Sequence, residues 1–96
     1  MHIITKRALK AFYIQHPDAK NHLLRWFRIL SKTDFANISE LRSSFSNSVD
    51  SVGNKTVFNI GGNKYRLIAS IHFNRKKVYI RRILTHVEYD KGAWKQ

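Results

Sequence analysis

The stretch from residue 56 to 95 constrains the fold more than any other part of the chain. Three runs rich in β-branched and aromatic residues are separated by Gly61-Gly62-Asn63 and by Asn74-Arg75-Lys76-Lys77. Glycine supplies the positive φ values that a tight hairpin needs, so the spacing predicts consecutive antiparallel strands. Along the middle run, the odd positions Tyr65, Leu67, Ala69, Ile71 and Phe73 are apolar or aromatic, and alternation of period two sends them to one buried face. The even positions from Lys64 to His72 place Lys64 and Arg66 together at one end of the other face. No helix of the chain is left over to cover that face, which is expected to be open or covered only by a partner. In the last run Arg81 and Arg82 are adjacent, so regular pleating puts them on opposite faces, with one of them joining the cation pair.

The residues before the sheet read as packing. His2-Ile3-Ile4 is a short strand, and Thr5 is placed to cap a helix carrying Ala8, Leu9 and Phe12 at helical spacing. Pro17 ends that helix, and Asp18 is placed to cap a second whose stripe is Ala19, Leu23, Trp26, Phe27 and Leu30. Trp26 belongs to that stripe and is assigned to the core rather than to base stacking. Lys20 and Arg28 lie off the stripe and are read as solvation. Between residues 33 and 54 the pattern breaks into Ser, Asn and Asp; Ser39 opens one or two helical turns, and residues 43 to 51 read as a loop. The expected class is therefore α+β, with two N-terminal helices packed on one face of a small, mainly antiparallel twisted sheet. At 96 residues the chain is expected to form one domain spanning 1–96.

Charge narrows the partners. The net charge is +12, and residues 51–96 hold ten bases against two acids, whereas residues 1–50 hold eight against four. An excess of this size points to a polyanion, and the sheet half carries it. The absence of cysteine removes thiolate catalysis, thiolate zinc sites and disulfides, which favours the cytoplasm. The longest uninterrupted apolar run is Ala11-Phe12-Tyr13-Ile14, so neither a membrane span nor a secretion signal is expected.

The chemistry concentrates in Thr85-His86-Val87-Glu88-Tyr89-Asp90-Lys91, where the last strand ends. His86 and Tyr89 at a strand exit can turn toward the face that holds Lys64 and Arg66. In-line attack by a ribose 2′-oxygen needs a base, an acid, and cations at the non-bridging phosphate oxygens, and these four residues can fill those roles without metal. Asn63, Arg75, Lys76, Lys77, Arg81 and Lys91 are the candidate RNA-binding residues around them. His86, Glu88 and Asp90 are the alternative as metal ligands, but two-metal nucleases need more converging carboxylates than this half contains, so no metal or other cofactor is expected. A purely structural His86, bonded to a carbonyl or to Asp90, is the remaining reading. His2, His16, His22 and His72 show no partner pattern.

Three stretches carry a family resemblance. Val57-Phe58-Asn59-Ile60-Gly61-Gly62-Asn63-Lys64-Tyr65-Arg66-Leu67, followed by Tyr79-Ile80-Arg81 and Thr85-His86-Val87-Glu88-Tyr89-Asp90-Lys91, resembles the HigB-type toxins of the RelE/ParE superfamily, over nearly the whole chain. The resemblance implies a RelE-like fold and a bacterial endoribonuclease that cuts mRNA on the translating ribosome. It also implies a cognate helix-turn-helix antitoxin, HigA-like, with promoter DNA bound only through the toxin and antitoxin complex. Two other functions compete: a non-catalytic ParE-like inhibitor of DNA gyrase, and a simple RNA-binding module. A clustered proton donor and acceptor favours the nuclease, because neither alternative requires one.

Overall fold

The computed structural model describes residues 1–45 and 48–95. Five strands form one sheet in the order β1-β5-β4-β3-β2, where β1 is His2–Ile4, β2 Val49–Val52, β3 Lys55–Ile60, β4 Tyr65–His72 and β5 Lys77–Thr85. Every pairing is antiparallel except β1 with β5. Helices α1 (Arg7–Gln15) and α2 (Lys20–Lys32) lie over one face, α3 (Ile38–Phe45) precedes β2, and α4 (His86–Asp90) follows β5 directly. The architecture is the α+β arrangement that the alternation and the helical stripe predict.

The helix-facing side of β4 is the odd-numbered one. Tyr65, Leu67 and Ala69 are buried in a single cluster with Leu23, Trp26, Leu30 and Phe58, and Ile71 and Phe73 pack against its edge. Trp26 is 1% exposed and meets Phe58 edge to face at 5.5 Å, so its place is the core. Leu23 and Leu30 are fully buried, each worth roughly 1.5–3 kcal/mol of transfer free energy.

Both helix starts depart from the expected capping. Thr5 has φ +70° and contributes its carbonyl, which accepts from Ala8 N at 3.0 Å; no side chain caps α1. Asp18 sits in a short 3-10 turn at Pro17–Ala19 rather than capping α2. Its carboxylate accepts from the Tyr65 hydroxyl at 2.6 Å and from Lys64 Nζ at 3.2 Å, tying the helix layer to the start of β4. The Tyr65 hydrogen bond, then Lys64, hold the Asp18 carboxyl below its usual range, and the same bond pushes the Tyr65 phenol up. A lowered carboxyl stabilises the fold above its ordinary pKa, a contribution lost as pH falls through the folded value. Asp18→Asn is accordingly expected to shrink the loss of stability on acidification and to bring the Tyr65 phenol down toward its ordinary range. Ultraviolet phenolate titration checks this; an unmoved phenol would show that Asp18 does not hold Tyr65.

The connection after α2 is more ordered than its composition suggests. Asn37 Oδ1 accepts from Glu40 N at 3.1 Å and Glu40 Oε1 from Ala36 N at 2.8 Å, which starts a helix running to Phe45. The loop expected over residues 43–51 is thus helix at its beginning and strand from Val49; residues 46 and 47 lie outside the described residues. Val49 pairs with Phe58 and Asp50 with Val57, so β2 extends both faces of the sheet.

A β-bulge overturns the expected split of Arg81 and Arg82. Arg82 pairs with Ile68 and Ile80 with Ala69, leaving Arg81 as the extra residue. A bulge breaks strict alternation, and Arg81 Nε donates to Ser70 Oγ at 3.0 Å on the same face as Ile68. Both arginines therefore serve the face away from the helices.

Candidate active site

That second face is half covered, in contrast to the open surface expected. Trp94, 5% exposed, packs on Val57 and Ile68, with Val52, Leu84 and Tyr89 around it. The tryptophan gets there because Gly92 takes φ +75° and turns the chain back across the sheet after α4. Trp94 Nε1 donates to the Tyr89 carbonyl at 2.9 Å, and the two rings stack at 4.9 Å. What remains open is a cavity of about 370 Å³ beside this apolar patch, lined by Arg66, Tyr89, Asn59, Asp50 and Ser48 among others.

Arg66 is the centre of that cavity. It is only 8% exposed, yet no carboxylate of the described residues lies within ion-pair distance of it. Its guanidinium instead donates to the carbonyls of Asn63 and Tyr65 at 3.2 and 3.1 Å and to Asn63 Oδ1 at 3.2 Å. The Tyr89 ring lies 5.4 Å from it. A buried cation fixed by neutral acceptors keeps its full charge, and an anion in the cavity neutralises it.

Helix α4 brings Tyr89 to this cavity, whose lining residues do not include His86. Thr85 Oγ1 accepts from Glu88 N at 3.2 Å while Glu88 Oε1 accepts from Thr85 N at 2.9 Å, a reciprocal capping box. The Thr85 N–H is the main cause holding the Glu88 carboxyl below its usual range. Glu88 is therefore engaged in holding the helix start. The backbone N–H of His86 donates to the Lys64 carbonyl at 2.9 Å, pinning the helix start to the β3–β4 turn. His86 Nδ1 lies 3.2 Å from Asp90 Oδ2, and the imidazole is about half exposed. An imidazole held at one nitrogen by a carboxylate can exchange a proton at the other. Thr85→Ala is expected to cost about 1 kcal/mol of stability in urea denaturation, with Thr85→Ser near the parent. Equal stability of Thr85→Ala and the parent would mean that the box does not hold α4.

The other expected site residues separate into groups. Lys64 falls in the turn rather than the strand, and its ammonium is drawn to Asp18 instead of standing beside Arg66; its side chain is 68% exposed. Asn63 serves Arg66 directly. Arg75, Lys76 and Lys77 lie at the far end of the β4–β5 hairpin, six residues along β4 from Arg66, roughly 20 Å away at strand rise. Lys76 pairs there with Asp34 at 3.5 Å, and Lys77 starts β5 opposite His72. Arg81 bonds Ser70 and lies 5.3 Å from the Tyr79 ring, in the middle of the same face. Lys91 follows α4, exposed. Among the described residues no group of three or more His, Asp or Glu side chains is placed to hold a metal ion.

Sequence reasoning missed Asn59 and Asp50. Register places them opposite Arg66 and Val57, on the face of the cavity. Parity along β3 was the available signal for Asn59; Asp50 required knowing that β2 is a strand.

Comparison with known proteins follows the same lines. A family model for the HigB toxin, described as the RelE-like toxic component of a toxin-antitoxin system, matches residues 19–92. The chain is similar to the mRNA interferase toxin HigB of Escherichia coli K12, 37% identical over 94% of this chain and 88% of that protein. The mRNA interferase HigB of Shigella flexneri has the same identity and coverage. The mRNA interferase HigB of Escherichia coli O6:H1 is 34% identical over 95% of this chain and 90% of its own.

Proposed function

The chain belongs to the HigB family of RelE-like toxins, and on that premise we propose that it is an endoribonuclease that cleaves mRNA engaged with the translating ribosome. One observation carries the reading: the buried guanidinium of Arg66, with no carboxylate partner among the described residues, faces a cavity beside Tyr89. Arg66 takes the non-bridging oxygens of the scissile phosphate. His86, with Asp90 on its Nδ1, and Tyr89 divide the two proton transfers, removing the 2′-hydroxyl proton and protonating the leaving 5′-oxygen. The bond formed is O2′–P and the bond broken is P–O5′, leaving a 2′,3′-cyclic phosphate. Lys64 contributes a second cation when it leaves Asp18, which its exposure allows. No step requires a metal ion.

A cation-rich face in a cell full of RNA needs masking, and a cognate antitoxin, HigA-like with a helix-turn-helix domain, supplies it; promoter DNA is bound through that complex. No helix of the described residues is long and apolar enough to cross a membrane, and the toxin is proposed to act in the bacterial cytoplasm. Expression without the antitoxin is expected to arrest growth and to produce new 5′ ends within translated transcripts. Cleavage in vitro is expected to persist in excess chelator once a control keeps the ribosome intact. New ends that are absent while DNA gyrase is inhibited would point to the non-catalytic alternative, and activity lost to chelator and restored by Mg²⁺ would sink the mechanism.

A further inference from the structure

Helix α4 is five residues long and none of its residues is buried. A helix that short does not hold itself together in water, so contacts from outside must fix it. Its first turn is fixed by the capping box and by the His86 N–H on the Lys64 carbonyl. Its end, which carries Tyr89, is fixed by residues that follow it. The Tyr89 carbonyl accepts from Gly92 N at 3.1 Å and from Trp94 Nε1 at 2.9 Å, while the indole stacks on the phenol ring at 4.9 Å with 16° between the planes.

The indole can act as an anchor because it is itself anchored. It is buried on Val57 and Ile68, which pair across β3 and β4. Two residues along the same strands and on the same face are Asn59 and Arg66, also paired, which line the cavity with Tyr89. Trp94 therefore ties the end of α4 to the two strands that carry Arg66. The phenol ring that it stacks on lies 5.4 Å from the guanidinium. The family match ends at residue 92, so it assigns Trp94 no role.

We propose that Trp94 is a positioning residue for the reaction: it fixes the Tyr89 ring beside the Arg66 guanidinium and so aims the phenol hydroxyl at the phosphate held there, without touching the RNA itself. The hydrogen bond holds the backbone of the helix end, and the stacking holds the ring. Loss of both releases Tyr89 at the end of a helix that has little else to keep it in place. A displacement of about 1 Å in a reacting group costs on the order of 10² in rate. The proposal deepens the ribonuclease reading and rests on it for the role of the hydroxyl, but not for the placement of the ring.

The test compares Trp94→Leu, which keeps an apolar cover on Val57 and Ile68 but has neither ring nor donor, with Trp94→Phe, which keeps a ring. In the full-length chain, nuclear Overhauser contacts between the Tyr89 ring and the Arg66 side chain are expected in the parent and in Trp94→Phe and are expected to be lost in Trp94→Leu. Single-turnover cleavage at saturating programmed ribosomes is expected to fall roughly 10²-fold in Trp94→Leu with binding unchanged, and to be largely rescued in Trp94→Phe. In a Tyr89→Phe background the same substitution is expected to add almost nothing, because the hydroxyl that Trp94 aims is already gone. Equal slowing in both backgrounds would make Trp94 a structural residue only, and ring contacts that survive in Trp94→Leu would overturn the proposal. Should Trp94→Leu not fold, the parent decides: its Trp94 indole N–H, identified by its absence from Trp94→Phe, is expected to be protected from hydrogen exchange, and free exchange would overturn the proposal. Cleavage by Trp94→Leu at the parent's rate removes the proposal alone. A parent that shows the ring contacts but cuts no message removes the nuclease reading and leaves Trp94 as the residue that places Tyr89.

Discussion

Replacing Arg66 by alanine is expected to slow single-turnover cleavage by roughly 10²–10³-fold, the range for losing one preorganised donor to a developing oxyanion. The expectation follows from burial without neutralisation. A guanidinium that is 8% exposed and held only by Asn63 and the Tyr65 carbonyl is already in place and already desolvated before the phosphate arrives. Little reorganisation is left for the transition state. Arg66→Lys is expected to recover part of the rate, because a single ammonium keeps the charge but loses the planar fork. Both variants are expected to stay folded, since two of the three acceptors they release belong to Asn63, in an exposed turn that water reaches. Thermal melts by circular dichroism distinguish this from simple unfolding; a large loss of melting temperature with unchanged turnover would make Arg66 a structural residue.

His86→Ala is expected to cost more, roughly 10²–10⁴-fold in turnover at saturating substrate, the usual contribution of a positioned acid or base. Binding is expected to change little, because affinity from a charge of +12 is spread over many phosphate contacts. Asp90 does not reach the substrate in this account and acts through the imidazole, so Asp90→Asn is expected to cost less than removal of the ring and to alter the pH profile of turnover. The competing reading, in which the His86–Asp90 contact only braces α4, predicts the reverse: a lower melting temperature and unchanged turnover. Arg75→Ala, at the far end of the hairpin, is the comparison that calibrates both variants. Its effect is expected on the salt dependence of binding, with the chemical step left alone.

How much of this was legible in the sequence depends on the range of the contact concerned. The odd-position stripe of β4 and the buried side of α2 were readable because period two and period 3.6 are local properties of the chain. The Gly61-Gly62 turn was readable for the same reason. Asp18 was misread as a cap, since its real partners Lys64 and Tyr65 are 46 and 47 residues away and leave no local trace. The bulge at Arg81 is equally silent, because alternation continues on either side of it and only the partner strand reveals the extra residue. Val49–Val52 is too short and too polar to announce itself as a strand, and with it went Asp50. Trp94 is the clearest case: the short helix α4 and the turn at Gly92 fold it over the sheet, so the face that looked uncovered is half covered by residues from the end of the same run. The candidate site suffered accordingly. Arg66 and Tyr89 do meet around one cavity, with Asn63 bonded to Arg66, whereas His86 is not among the residues lining it, Lys64 is tied to the helix layer and the basic turn at residues 75–77 lies far off.

The chemistry proposed for the Arg66 cavity is attack by a ribose 2′-oxygen on the phosphate that Arg66 holds. The most direct measurement is single-turnover cleavage of a defined message on programmed ribosomes, with the nucleotide 5′ to the cut supplied as ribose or as 2′-deoxyribose. A 2′,3′-cyclic phosphate end is expected on the ribose message and no cut at that bond in the deoxy message. Cleavage of the deoxy message at the same bond would contradict it.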